Sequence, residues 1–157
     1  MLLSMCMLTI TETLIVEHRI FCRFFNQIER QLPKLQSFGE VHLLGRVIEG
    51  LLDDHSDTEN NLAYLTLDHV LEDRGELERL YQDHREIDNH FRQLQETRDP
   101  AEAQRLLKKA IAASRIHFQR EEQHVFPLMN TALKSETLSQ LAVAWKERPS
   151  SSVRAVA

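Results

Sequence analysis

The sequence predicts an all-α fold, an up-down-up-down four-helix bundle with a short additional C-terminal helix. Three observations lead there. Leu, Glu, Gln and Arg abound, whereas only four Gly and four Pro interrupt the chain, a composition that favours helix over a many-turned β fold. Helix-start signatures recur along it, each a capping residue three positions before a Glu. Four long segments carry core-type residues at three- to four-residue spacing, the period of one helix face. The 157 residues suit one domain, placed at 10–147, with a flexible tail over 148–157.

The first helix is expected over 11–32, opened weakly by Thr9 and Glu12 and closed by Pro33. Ser37 and Glu40 form a capping box that starts a second helix, 40–66. Asp73 and Glu76, with Gly75 between them, start a third over 75–97. Asp99, Pro100 and Glu102 start a fourth over 100–129, with Pro100 where a missing N–H costs nothing. An amphipathic stretch at 136–147 is the added helix, and Pro149 and the serines after it begin the tail. Short connections between long helices make neighbours antiparallel.

The stripes are unusual in what they carry. They read Leu14, His18, Phe21, Phe25, Ile28, Leu32 in helix one and Leu44, Ile48, Leu51, His55, Glu59, Leu62 in helix two. Helix three gives Leu77, Leu80, His84, Ile87, Phe91, Leu94, and helix four Leu106, Ala110, Ala113, His117, Glu121, Val125, Leu128. Each stripe holds one histidine, and two also hold a glutamate four residues later, one turn along the same face. A lone histidine on such a face is ordinarily a core or boundary residue, but a buried carboxylate without a partner costs several kcal/mol.

The heights of these residues agree. His18 and His55 each lie ~21–22 Å from their shared connection at 1.5 Å per residue, and His55 and His84 agree within ~3 Å. His84 and His117 differ by about one turn, within the boundary error of such a reading. The chain also repeats itself. His18 followed by His55-x-x-x-Glu59 recurs as His84 followed by His117-x-x-x-Glu121, at separations of 37 and 33 residues. Two hairpins facing each other about a pseudo-twofold axis would place four imidazoles and two carboxylates around a pair of cations. A structural polar layer is the competing reading, and it leaves two carboxylates buried among imidazoles.

These segments resemble the haemerythrin-like family with the HHE cation-binding domain. The resemblance rests on Leu14–Arg19 with His18, His55-x-x-x-Glu59, Asp83-His84-Arg85-Glu86-Ile87, and above all the run from His117 through Glu121-Glu122 to Phe126-Pro127-Leu128. It implies terminal metal ligation by His18, His55, His84 and His117, with Glu59 and Glu121 as bridges. His18 and His55 would serve one metal, and His84 and His117 the other. Oxygen carriers of the family have a further histidine where this chain has Asp88, and an aspartate where it has Glu121. The set is nearer the four-histidine, two-glutamate bacterial members. The second helix also lacks the Phe-Pro that follows the motif in the fourth.

Such a donor set points to two iron ions, with manganese or zinc as alternatives. An open position on redox-active iron permits binding of dioxygen, nitric oxide or peroxide. The leading expectation is a small-ligand binding or sensing di-iron protein. The alternatives are a di-iron oxidase or peroxide-consuming enzyme, an iron storage or repair role in oxidative or nitrosative stress, and a metal-free helical interaction module. His124 recurs seven residues after His117, which gives it a candidate role beside the site, and Tyr81 precedes His84 by nearly one turn. His42, His69 and His90 read as surface residues.

Net charge of −5 without a basic block argues against nucleic acid. Cys6 and Cys22 form neither a CxxC pair nor an evident disulfide, which fits a reducing cytosol. Met1–Ile10 is apolar but lacks the charge and cleavage pattern of a signal peptide, and it is too short to span a bilayer. A cytoplasmic protein without membrane contact is the expectation.

Overall fold

The computed structural model describes residues 8–71 and 75–148. The expected cap at Asp73 and Glu76, Cys6, and the tail from Pro149 onward lie outside the described residues. Among those described there is no strand, and no helix is long and apolar enough to cross a membrane.

Helix α1 spans Ile10–Gln31 and runs into a 3₁₀ turn at Leu32–Lys34, where Pro33 ends the α geometry. Helix α2, Phe38–Thr58, continues through a π-helical turn at Glu59–Tyr64 into α3, Leu65–Asp68. Helix α4 spans Gly75–Glu96, and α5 spans Pro100–Arg120. A second π turn, Glu121–Val125, leads into α6, Phe126–Ala132, and α7 follows at Ser135–Glu147. The bundle of four long helical rods with an extra C-terminal helix is the architecture the sequence predicts.

The caps work as their residue types dictate. Thr9 and Ser37 each accept from the backbone N–H of the Glu three residues on, and each Glu reaches back to the cap. At α5 only half of the expected box forms. Asp99 caps Ala101 N–H at 3.0 Å, whereas Glu102 turns to Arg105.

The π turns are where the helices depart from the simple period. In each, an N–H bonds the carbonyl five residues back: Leu65 to Asn60, and Phe126 to Glu121. Each turn takes up one extra residue, so everything beyond it is rotated relative to an unbroken α-helix. The residues buried after Glu59 are therefore Ala63, Tyr64 and Leu67, with Leu62 only half-buried. After Glu121 they are Val125, Phe126 and Met129, with Leu128 half-buried. Earlier in α2 the inward face runs Val41, Gly45, Ile48, Leu52, and Leu51 lies on the outside at 44 % exposure.

The apolar interior falls into two bodies. One contains Phe21, Phe25, Ile48, Leu52, Ile87, Phe91, Leu107 and Phe118 among others. The other contains Ile10, Leu14, Tyr64, Leu67, Leu80, Phe126, Met129 and Trp145. Between them lie the inward histidines and glutamates.

Candidate metal centre

All six residues singled out in the sequence meet at the level between the two apolar bodies. His18, His55, His84 and His117 are 1, 2, 8 and 1 % exposed, and Glu59 and Glu121 are fully buried. Each histidine comes from the inward face of a different rod, α1, α2, α4 and α5, and the glutamates are the first residues of the π turns that continue α2 and α5.

Glu59 stands between the two halves. Its Oε1 lies 3.0 Å from His55 Nε2 and 3.7 Å from His18 Nε2. Its Oε2 lies 3.6 Å from His84 Nε2 and 3.9 Å from His117 Nε2. Glu121 is arranged differently. Its Oε2 lies 3.3 Å from both His18 Nε2 and His117 Nε2, and its Oε1 accepts a hydrogen bond from the buried Tyr64 hydroxyl. The Nε2 atoms of His84 and His117 are 2.9 Å apart.

Two donors on one ion, each ~2.1 Å from it, are separated by about 3.0–3.4 Å in octahedral or tetrahedral geometry. Most of these distances fall in or near that range. His18, His55 and Glu59 form one group whose donor atoms all lie within 4.8 Å of one another, and Glu59, His84 and His117 form a second. His18 Nε2, His55 Nε2, both Glu59 oxygens and Glu121 Oε2 are buried without a hydrogen bond of good geometry. Buried polar atoms are rarely left so, and five aimed at one small volume fit a pair of cations.

The outer nitrogens are held by residues the sequence reading did not single out. His55 Nδ1 donates to Glu17 at 2.9 Å, and His18 Nδ1 donates to Glu122 at 3.0 Å. His117 Nδ1 lies 3.5 Å from Asp83, which Arg120 also contacts. With a carboxylate bound at Nδ1, Nε2 of His18 and of His55 is left as the inward donor. Helix α7 contributes here: Trp145 Nε1 donates to Glu17 at 2.7 Å, and Arg148, the first residue of the expected tail, contacts the same carboxylate at 3.2 Å. The available signal was adjacency, since Glu17 precedes His18, Asp83 precedes His84, and Glu122 follows Glu121. What it did not disclose is that Glu17 and Asp83 serve the histidine of the other helix in their hairpin.

Electrostatics follow from this pairing. Burial opposes charge on each group. The nearby carboxylates of Glu121, Glu122 and Glu59 nevertheless hold the His18 imidazole well above its ordinary pKa. His55 is raised by Glu59 and Glu17, and His117 by Glu121 and Glu59. Against its own burial, Glu59 is held well below the usual carboxylate value by His55, His117 and His18. Burial and the charges of Glu121 and Glu59 push Tyr64 far up, which keeps its hydroxyl a donor at neutral pH.

The remaining candidates separate cleanly. His124 is exposed, because the π turn at Glu121 rotates it off the His117 face. Tyr81 is half-buried and meets the Tyr64 ring edge-on at 5.8 Å; Tyr64 is the tyrosine that reaches a site carboxylate. His69 is exposed, while His42 and His90 are half-buried rather than fully at the surface. Cys22 is a free thiol beside the first apolar body.

The two hairpins are related residue by residue. Tyr64 stacks on His84 at 6.0 Å and 18°, as Phe126 stacks on His18 at 5.6 Å and 22°; each follows its glutamate by five positions. No curated protein and no solved structure gives a significant match to the chain. The family model of the hemerythrin HHE cation binding domain matches residues 9–129, which contain every residue of the cluster. The chain belongs to the hemerythrin HHE cation binding domain family.

Proposed function

We propose that the chain binds two metal ions, iron in the cell, and uses them to bind or sense a diatomic ligand such as dioxygen or nitric oxide. The observation that carries this reading is the pair of three-donor groups sharing Glu59, buried between two apolar bodies. His18 and His55 would hold one ion, His84 and His117 the other. Glu59 would supply one oxygen to each, and Glu121 would contribute the oxygen that Tyr64 leaves free. A bound iron pair supplies reversible redox chemistry and an open position for a small ligand.

The chain's own residues shape that position. A cavity of about 20 Å³ is lined by Leu52, Ile87 and Phe118 together with Ser56, Asp88, His55, His84 and His117. It has room for one molecule about the size of water. Leu52, Ile87 and Phe118 give it an apolar side against which a small uncharged ligand can rest. Supporting the ligand role further, Glu17 and Glu122 fix two of the four imidazoles with Nε2 inward, and Asp83 lies 3.5 Å from Nδ1 of a third, His117.

Metal analysis of the full chain expressed with iron is the first test, with two equivalents expected. Glu59→Ala and Glu121→Ala should each lower metal content, and full occupancy in both variants would refute their assignment as ligands. The reduced, loaded protein should change its optical spectrum reversibly with dioxygen or nitric oxide. Sustained consumption of peroxide over many turnovers would favour the enzymatic alternative instead.

A further inference from the structure

A groove of about 660 Å³ runs between α2 and α4 and ends at the metal centre. Glu49, Asp53 and Asp57 line it at successive turns of α2, Asp88 faces it from α4, and Ser56, Asn60 and His84 are also on its wall. Arg85 and Arg92 stand there too, but they are drawn into ion pairs with Glu78 and Glu96. None of the four groove carboxylates has a Lys or Arg within ion-pair distance among the described residues.

Acidic side chains alone do not define a function. The second observation is at the groove's inner end. His84 is 8 % exposed, and its Nδ1 is buried without a hydrogen-bond partner while its Nε2 faces Glu59 and His117. Asn60 Oδ1, on the same wall, is also buried and unpartnered. The hairpin repeat explains the difference: Asn60 follows Glu59 as Glu122 follows Glu121, and Glu122 is the residue that carries His18 Nδ1. At His84 the anionic partner is replaced by a neutral amide. Of the four imidazoles, His84 is the one that lines the groove, and its Nδ1, like that of His117, has no hydrogen-bond partner.

The other approaches suit a cation less. The depression at Arg79, Arg120 and His124 is basic. The one over His55 has Arg148 lying against Glu17.

Resting on the di-metal reading above, we propose that the α2–α4 groove is the route by which divalent cations reach the cluster. The carboxylates gather the hydrated ion, Ser56 and Asn60 offer oxygen donors as water is shed, and His84 is the first imidazole met. The step is ligand exchange only: water and protons leave as the ion enters. A cleft lined by one sign of charge raises association rates by roughly 10- to 1,000-fold, an effect that salt removes.

The test is the rate of cobalt(II) uptake by the metal-free full chain, followed by stopped-flow absorbance at low and high salt, with final stoichiometry measured on the same samples. The triple variant Asp53→Asn, Asp57→Asn, Asp88→Asn should load at least about tenfold more slowly at low salt and lose most of the salt dependence. Its final stoichiometry should match the wild type. A control that removes equal charge elsewhere, Glu86→Gln, Glu136→Gln, Glu147→Gln, should load normally. The single change Asp88→Lys, at an exposed position, should slow uptake in the same sense and does not depend on the triple variant folding. Unchanged rate and salt dependence in the groove variants, or equal slowing in the control, would overturn the route while leaving the site intact. A wild-type chain that takes up no cobalt would overturn both readings at once.

Discussion

Removing the Tyr64 hydroxyl is the sharpest probe of the site, because one oxygen atom is the only change. Tyr64 is fully buried and donates to Glu121 Oε1. Its ring stacks on His84 and meets Tyr81 edge-on, and Tyr64→Phe keeps both contacts. The fold tolerates a phenyl ring in this setting, since Phe126 occupies the equivalent position against His18. A hydrogen bond to a charged acceptor is worth about 1.5–3 kcal/mol, and the orphaned carboxylate oxygen would be left fully buried. For a chain of this size each kcal/mol lowers the melting temperature by about 2–4 °C, so the metal-free variant should melt roughly 3–12 °C lower. Without its donor, Glu121 is no longer fixed with Oε2 between His18 and His117. Loss of such an outer partner should weaken metal binding by about 10- to 100-fold. Calorimetric melts and competition against a chelator give the two numbers separately. Affinity within about twofold of wild type and an unmoved melting temperature would refute the role of this bond. Tyr81→Phe is the control and should leave affinity unchanged.

Glu17→Gln should weaken metal binding by about 10- to 100-fold, because it removes the anionic partner of His55. The same change should shift Trp145 fluorescence, since the indole N–H shares that carboxylate; unaltered emission and affinity would contradict the link. In the metal-free chain, the raised pKa values of His18, His55 and His117 give a stabilisation complete below the ordinary value of 6.5 and lost as pH rises through the raised values. The lowered Glu59 contributes above its ordinary 4.5, and that contribution is lost as pH falls through its lowered value. Metal-free melts should therefore peak at mildly acidic pH, and metal should raise the melting temperature most on the alkaline side. A metal-free melting temperature that climbs steadily from pH 5 to 9 would contradict this. Finally, Gly50→Ala should stabilise by about 0.5–1 kcal/mol, because no atom lies within 4 Å of the added carbon, as denaturant melts will show. Gly45→Ala would drive that carbon into Leu94 and should destabilise by about 1–3 kcal/mol.

The convergence of four histidines and two glutamates is legible in the sequence because its signal is repeated. Each histidine recurs on a core face at a matching height, and two bring a glutamate one turn on. Helix starts were legible at Thr9 and Ser37 because capping chemistry is local. Part of what the sequence conceals traces to the two π turns. A constant helical period puts Leu62, His124 and Leu128 inward, whereas the extra residue taken up after Glu59 and Glu121 turns Ala63, Tyr64 and Phe126 inward instead. That rotation hides Tyr64 from a constant-period reading and makes His124 look inward. The outer carboxylates were missed because they pair across helices, which no spacing along one helix records. Leu51 follows the period that starts at Leu44, whereas the inward face follows the one that starts at Val41.

The division of the interior into two apolar bodies bears on how the rods are aligned lengthwise. In a bundle with a uniformly greasy seam, sliding one helix along its axis by a turn exchanges one aliphatic contact for another at little penalty. Here such a slide would carry a histidine or a carboxylate into one body and strand its former partners in the layer. Burying an unpaired polar group costs several kcal/mol, a large fraction of the net stability of a domain. Even before any ion arrives, the layer acts as a dowel through the bundle: it admits one relative height of α1, α2, α4 and α5, the height at which the six donors meet.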